Sequence, residues 1–179
     1  WGRMRNALPE NIQEHSHMVA VFAHALGVIR RDIFRKPCDV NALATAALYH
    51  DASEILTGDL PTPIKYHNAE IMSAYHAVED LAVQKLLDML PPELRATYAD
   101  VLSEDKDGDI YPLVKAADKL SAYIKCIEER KAGNNEFLSA EAQTRAALDA
   151  SPLPEVQYFL QHFIPAFERD LDELGAIGQ

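Results

Sequence analysis

The sequence predicts an all-α protein, and three observations support this prediction. Apolar residues recur at three- and four-residue steps along most of the chain, which is the period of an amphipathic helix. No segment shows the sustained alternation of apolar and polar residues that is typical of a half-buried strand. Helix-breaking residues, including Gly58, Pro91 and Gly133, separate the periodic segments. We therefore expect a helical bundle of about six to seven helices.

Caps and breakers place each predicted helix in turn. Either Asp39 or Asn41 can cap the second helix, and Asn68 can cap the third. Pro92 opens the fourth, and Pro165 is expected to bend the last one. From the positions of these residues, the predicted helices cover about 10–31, 40–56, 69–89, 92–102, 110–131, 136–150 and 154–174.

Composition limits the classes of function. The 179 residues, 48% of them hydrophobic, fit one domain covering 1–179 with an ordinary core. The net charge of −11 argues against polymeric DNA or RNA as a partner, although a local cation can still attract a small phosphate ester. Cys38 and Cys126 form no CxxC motif and are expected to be reduced.

Location and completeness are further expectations from the sequence. No apolar run approaches the roughly 20 residues of a membrane span, and no signal-peptide pattern opens the chain, so we expect a cytoplasmic protein without a membrane partner. The chain begins at Trp1 with no initiator Met, and we expect residues to be missing before it.

Polar residues on predicted buried faces point to a metal site. His15 shares the apolar stripe of the first helix, His50 and Asp51 follow an Ala-rich run, and Asp118 lies between apolar residues of a later helix. Each residue alone has an ordinary structural explanation, such as a hydrogen-bonded core imidazole or a capping carboxylate. Together, two imidazoles and two carboxylates from three helices supply the ligand set of one divalent cation.

The kind of site follows from the ligand types. Without a thiolate the set is unlike a structural zinc site, and four ligands leave open positions on a six-coordinate ion, as catalysis requires. Glu54 follows on the predicted face of His50 and Asp51 and is a candidate acid/base for the attacking water. The turn "TGDLPTP" holds Asp59 beside this position, and Lys65 just beyond it can meet either an anionic ligand or solvent.

Other motifs lead to no site. The string "DKDGD" resembles a calcium-binding loop, but Gly108 occupies its fourth position rather than its sixth, and Ala116 stands where a bidentate Glu is required. We interpret it as a surface turn. The histidines to which we assign structural or exposed roles are His17, His24, His67, His76 and His162.

Four segments carry a resemblance to a known family. They are "NIQEHSHMVAVFAHAL", "YHDASEILTGDLPTPIKY", "LVKAADKLSAYIKC" and "EERKAGNNEFL". Together they resemble the bacterial HD-domain 5'-deoxynucleotidases, within the HD superfamily of metal-dependent phosphohydrolases, over essentially the whole chain. The resemblance implies an HD-domain bundle that hydrolyses 2'-deoxyribonucleoside 5'-monophosphates, uses one divalent cation (Co, Mn, Fe, Mg or Zn) and forms a homodimer. The apolar C-terminal helix, with Phe159, Phe163 and Phe167, is a candidate interface.

The resemblance also implies residue roles. The metal ligands would be His15, His50, Asp51 and Asp118, the same set that burial indicates. Glu54 would be the acid/base and Asp59 a second essential acid near the leaving oxygen. The substrate-binding residues would be Trp1, His15, Asp51, Asp59, Leu60, Pro61, Thr62 and Asp118.

The N-terminus departs from the family pattern. Trp1 would pack on the sugar and exclude a 2'-hydroxyl, whereas the Arg that orients the phosphate in the family would precede the first residue. Gly2 and Arg3 also replace an expected Pro-Leu. We expect weak base selectivity, because no residue set for reading base edges is evident.

Two alternatives remain open from the sequence. One is another HD-type phosphohydrolase or phosphodiesterase that acts on a cyclic dinucleotide or a guanosine polyphosphate. The other is a non-catalytic, metal-binding helical scaffold. A Glu54→Ala variant distinguishes a hydrolase from a scaffold, and parallel assays of the substrate classes distinguish the hydrolases.

Overall fold

The computed structural model describes residues 4–60, 62–65, 67–103 and 108–169, and within these ranges it contains helices and turns but no strand. The all-α prediction is confirmed, and seven of the α-helices have nine residues or more. The helices are α1 (Ile12–Val28, continued by a π-helical turn at Ile29–Ile33), α2 (Val40–Tyr49), α3 (Glu54–Thr57), α4 (Thr62–Lys65), α5 (Ala69–Asp88), α6 (Pro92–Leu102), α7 (Tyr111–Lys131), α8 (Leu138–Asp149, preceded by a 3-10 turn at Asn135–Phe137), α9 (Pro154–His162) and α10 (Ile164–Phe167).

Side-chain caps set the starts of three helices. Asn11 and Glu14 form a reciprocal capping box at the start of α1. At α2 the cap is Asp39 rather than Asn41, because the Asp39 carboxylate accepts hydrogen bonds from the first free N–H groups of the helix. The Asn68 side chain caps α5 as predicted, with a 2.8 Å hydrogen bond from Ile71 N.

The core forms where α1 packs against both α2 and α7. Gly27 permits the approach of α2, because a Cβ atom at this position would lie 3.0 Å from Leu43 Cδ2. This packing carries the α2 C-terminus and the middle of α7 to the first turns of α1. The buried hydrophobic residues at the centre of this core include Val19, Leu26, Leu43, Ala47, Leu113, Leu120, Ile124, Ile127 and Phe159.

The second helix is shorter than predicted, since it ends at Tyr49 rather than near Leu56. His50 Nδ1 lies 2.8 Å from the carbonyl oxygen of Ala47, which a continued helix would offer to the N–H of Asp51. The chain then turns with short-range bonds, including Glu54 N to Asp51 O at 3.0 Å, before the separate helix α3. Glu54 is therefore not on the same helix as His50.

The predicted C-terminal helix is broken rather than bent. It ends at His162 and restarts as α10, where Pro165 lacks the N–H needed to continue the ladder. Phe159 and Phe167 pack edge-on against Phe22, at centroid distances of 5.7 and 6.2 Å. Phe159 is therefore buried in the core and Phe167 is half-buried against it, whereas Phe163 is exposed, and the interface on this helix stays a prediction. The predicted extension to 174 lies outside the described residues.

Two smaller predictions concern thiols and loops. Cys38 and Cys126 are free thiols, as expected. Most of the "DKDGD" segment lies outside the described residues, which resume at Gly108. Within the described ranges, the helices are too short or too polar to cross a bilayer.

Candidate metal centre and active site

Helices α1, α2 and α7 bring four of the predicted residues together. His15 Nε2 lies 3.2 Å from Asp118 Oδ1 and 3.5 Å from Asp51 Oδ2. His50 Nε2 lies 3.2 Å from Asp51 Oδ2 and 4.0 Å from Asp118 Oδ1. Each carboxylate thus faces both imidazoles, and the ligand atoms of His15, His50 and Asp118 all lie within 4.8 Å of one another.

The tautomer of His50 follows from its backbone contact. A carbonyl oxygen can only accept, so the 2.8 Å contact with Ala47 O places a proton on Nδ1. In the neutral ring, the buried Nε2 then carries a lone pair and has no hydrogen-bond donor among the described residues, so only a protonated ring could form a hydrogen bond with Asp51 Oδ2, 3.2 Å away. A buried lone pair beside two carboxylates fits a cation, because a cation would satisfy the nitrogen and neutralise the acids.

The charges of the cluster alter its pKa values. Burial opposes protonation of both imidazoles, but the hydrogen bonds and charges of Asp118 and Asp51 outweigh it, so the pKa values of His15 and His50 are raised. Burial also opposes ionisation of Asp51, but the His50 contact outweighs it and lowers the pKa of that carboxyl. The four groups form one strongly coupled electrostatic unit.

Glu54 differs from these carboxylates. Its side chain is half-buried at the start of α3, and burial followed by the negative charges of Asp51 and Asp59 raises its pKa to about 7. A carboxyl with this pKa exchanges a proton readily near neutral pH, which suits an acid/base residue. Although the helix assumed in the sequence analysis is interrupted, the turn still places Glu54 within electrostatic reach of Asp51.

A fixed turn presents Asp59 beside Glu54. Gly58 ends α3 with a φ of +70°, a left-handed conformation that favours glycine. Its carbonyl oxygen accepts hydrogen bonds from the hydroxyls of Thr57 at 3.0 Å and Tyr75 at 3.5 Å. Asp59 follows Gly58 directly and is exposed, and its negative charge helps to raise the pKa of Glu54.

Other predicted residues have different positions. Lys65 forms a 2.9 Å ion pair with Glu79 and lies over the ring of Tyr75, two partners that the sequence did not indicate. Leu60 is half-buried and Thr62 begins α4, whereas Trp1 and Pro61 lie outside the described residues. Among the other histidines, only His76 is not exposed; its Nδ1 lies 2.9 Å from Glu79.

The sequence analysis missed two residues beside His15. Ser121 Oγ lies 3.4 Å from His15 Nδ1, and Glu10 Oε2 lies 4.0 Å from the same atom. The available signal was the spacing of Ser121, one helical turn after Asp118 on the same face of α7. No local pattern indicated Glu10, because its contact depends on the packing of the N-terminal segment.

Comparisons with known proteins are consistent with this geometry. A family model described as 5'-deoxynucleotidase YfbR-like matches residues 1–167. Proteins named 5'-deoxynucleotidase YfbR, from Shigella boydii serotype 18 and Escherichia coli K12, are each 49% identical over 176 residues, covering 98% of this chain and 88% of the relative. A crystal structure of an HD-domain phosphohydrolase from Listeria innocua has a TM-score of 0.80 and 26% identity, covering 91% of this chain and 79% of that one.

Proposed function

This chain belongs to the YfbR-like family of 5'-deoxynucleotidases, and we propose that its catalytic centre is the cluster of His15, His50, Asp51 and Asp118. It is a hydrolase of 5'-deoxynucleotides with an all-α fold like that of an HD-domain phosphohydrolase. The single observation that supports this location best is the buried, unbonded Nε2 of His50 facing two carboxylates.

The proposed cofactor is one divalent cation held by these four side chains. Nitrogen and oxygen donors without a thiolate suit Mn, Co, Fe, Mg or Zn. When bound, such an ion supplies charge stabilisation to a phosphate oxygen and makes a coordinated water more acidic. The carboxylates of Asp51 and Asp118 each lie within 4.0 Å of both imidazoles. One cation bound among these four groups would therefore offset both negative charges.

Glu54 is the proposed proton acceptor. With a pKa of about 7, a large fraction of the Glu54 carboxyl is ionised at neutral pH and can accept a proton. The protonated carboxyl can also release that proton again at this pH. As the oxygen of the attacking water approaches phosphorus, the Glu54 carboxylate takes the proton from that water. The bond from phosphorus to the 5'-oxygen breaks on the opposite side.

Asp59 is the proposed residue at the leaving oxygen. The departing 5'-oxygen needs a proton, which a protonated Asp59 carboxyl would donate; the resulting carboxylate would be reprotonated from solvent, because Asp59 is exposed on the turn after Gly58. Leu60, Pro61 and Thr62 follow it and would line the substrate site.

The sugar and base are treated differently in this proposal. Trp1 would pack on the sugar and exclude a 2'-hydroxyl by size, which gives selectivity for deoxynucleotides. The described part of the site presents carboxylates and imidazoles rather than a set of amides aimed at base edges, so we expect similar rates with different bases.

Assembly and location are further parts of the proposal. We propose a homodimer, because α3 and α4 both pack against α5 and the three helices expose large apolar side chains. These side chains are Ile55, Leu56, Ile64, Val78 and Leu81. We also propose that 1–179 is one domain, since α7 packs on both α1 and α10, and that it is cytoplasmic, where thiols such as the two present here stay reduced.

A metal-by-substrate matrix tests the proposed function. Metal-stripped protein is supplied with each of the five metals and assayed for phosphate release. The substrates are dAMP, dTMP, AMP, a cyclic dinucleotide and a guanosine polyphosphate. We expect similar rates with dAMP and dTMP and a rate with AMP that is lower by about 10- to 200-fold. Faster hydrolysis of either of the last two substrates would contradict the proposal.

A further inference from the structure

A polar stripe runs along the buried face of α7. Asp118, Ser121, Lys125 and Glu129 follow one another at steps of three and four residues, so they lie on one side of the helix. Ser121, Lys125 and Glu129 are almost fully buried, with exposed fractions of 3%, 4% and 0%. Buried polar side chains need partners, and here the partners come from the segment before α1 and from its first turn.

The far end of the stripe fixes the chain that leads into α1. Glu129 accepts hydrogen bonds from the N–H groups of Ala7 at 2.7 Å and Leu8 at 3.0 Å. Lys125 donates to the carbonyl of Leu8 and pairs with Glu129 at 2.6 Å. These bonds fix the position of the segment that carries Glu10. The charges of His15 and Lys125 both act on the Glu10 carboxyl.

The near end of the stripe contacts the cluster. Ser121 Oγ lies 3.4 Å from His15 Nδ1, while the other nitrogen of that ring faces Asp118 and Asp51. Glu10 Oε2 lies 4.0 Å from the same Nδ1, which is too long for a hydrogen bond but close enough to favour a proton there.

We propose that Ser121 is a positioning residue that contacts Nδ1 of His15 and accepts a hydrogen bond from it when a cation is bound, so that Nε2 is aimed at the cation between Asp51 and Asp118, and that Glu10 reinforces this arrangement. The chemistry requires such a residue, because an imidazole offers a lone pair to a cation only from its unprotonated nitrogen. A helical serine hydroxyl can direct its own hydrogen to the carbonyl four residues earlier and accept with its lone pairs.

His50 shows the same arrangement built differently. Its Nδ1 is held by the backbone carbonyl of Ala47, which no side-chain substitution removes. His15 is held by a side chain and is therefore the imidazole whose orientation can be tested. The inference rests on the proposed function only in taking the cluster as a cation site.

The test uses the metal-stripped full chain and three serine variants. Mn²⁺ affinity is measured by calorimetry without substrate. Histidine tautomers are read from ¹⁵N NMR shifts at a pH at which the rings are neutral. Ser121→Ala removes the hydroxyl that contacts His15, and Ser121→Thr restores a hydroxyl. Ser16→Ala is the matched control, because Ser16 is also a buried serine but lies on α1. Melting curves confirm that each variant is folded.

We expect Ser121→Ala to weaken Mn²⁺ binding by about tenfold and to change the ¹⁵N shift of His15 Nδ1 in the metal-free protein, with His50 unchanged as an internal reference. Ser121→Thr should bind within about threefold of the parent protein, and Ser16→Ala should match it. Adding Glu10→Gln to Ser121→Ala should weaken binding further. Unchanged affinity and an unchanged Nδ1 shift in Ser121→Ala and in the double variant would overturn the inference. If the parent protein binds no Mn²⁺, the proposed function fails, and the Nδ1 shift of His15 still decides whether Ser121 holds the ring.

Discussion

His15 Nε2 and Asp118 Oδ1 lie 3.2 Å apart, although one belongs to the first turn of α1 and the other to the middle of α7. This contact exists because α1 and α7 pack along their apolar faces, with Val19, Leu120 and Ile124 fully or almost fully buried in the shared core. The proposed catalytic centre is therefore a product of helix packing, and variants should separate the site from the core that supports it.

Removing Asp118 should abolish cation binding. Asp118→Ala leaves His15 and His50 facing a single carboxylate, so we expect metal content to fall below one tenth of the parent value and kcat to fall by at least about 1,000-fold. Metal content by mass spectrometry and phosphate release from dAMP measure these effects. Asp149→Ala, which breaks only an exposed ion pair with Arg145, is the control. Stoichiometric metal in Asp118→Ala would refute this role.

Glu54 should control the pH dependence of the reaction. As a base it works when ionised, so kcat/KM should rise with pH at or somewhat below about 7, because burial and the charges of Asp51 and Asp59 raise the pKa of Glu54 to about 7 and a bound cation would offset the charge of Asp51. Glu54→Gln should lower kcat by about 10²- to 10⁴-fold and lose this rise, yet still bind metal. Glu93→Gln, an exposed residue of α6, should match the parent. A profile that keeps the same rise in Glu54→Gln would show that another group titrates.

Ionised Glu129 should stabilise the folded protein at neutral pH, and this contribution should be lost in strong acid. Burial opposes its charge, but hydrogen bonds from Lys125, Ala7, Leu8 and Asn134 outweigh burial and lower its pKa to about 2. Because the folded pKa lies below the unfolded value, this stability is present above about pH 4.5 and is lost as pH falls towards 2.

The matching variants are neighbours on α7. Glu129→Gln should lower the melting temperature at pH 7 by at least about 4 °C and should show a weaker loss of stability between pH 4.5 and 2. Glu128→Gln changes an exposed residue and should leave both properties as in the parent protein. Equal pH dependence for the parent and Glu129→Gln would disprove the assignment.

Leu81 should lie in the proposed dimer interface. Its side chain on α5 is 63% exposed, so Leu81→Glu should be tolerated in a monomer but should disrupt a dimer that buries it. Light scattering after gel filtration should give a dimer for the parent and a monomer for Leu81→Glu. Leu138→Glu, a change at an exposed leucine of α8, should remain dimeric. A monomeric parent would disprove the homodimer, and a dimeric Leu81→Glu would place the interface elsewhere.

The sequence predicted what local periodicity and caps determine. The start of α5 follows from Asn68, and the four cluster residues stand out because each is polar on an apolar face. The Asn11 cap sets the start of α1 at Ile12, two residues after the predicted start. The break after Tyr49 was missed because it depends on the bond between His50 and the Ala47 carbonyl, which periodicity does not encode.

Contacts between distant segments also escaped prediction. Lys125 and Glu129 look like an ordinary exposed pair at helical spacing, and only the packing of 5–8 against α7 shows that they are buried. The contacts of Ser121 and Glu10 with His15 also depend on packing between distant segments, so the sequence did not indicate them.

A crystal structure of the protein grown with Mn²⁺, with anomalous data collected, tests the cation site most directly. We expect one anomalous peak about 2.0–2.3 Å from His15 Nε2, His50 Nε2 and an oxygen of each of Asp51 and Asp118, with Glu54 beside it but not bound to the ion. A peak at another place, or full Mn²⁺ occupancy with these four side chains pointing apart, would contradict the proposed centre.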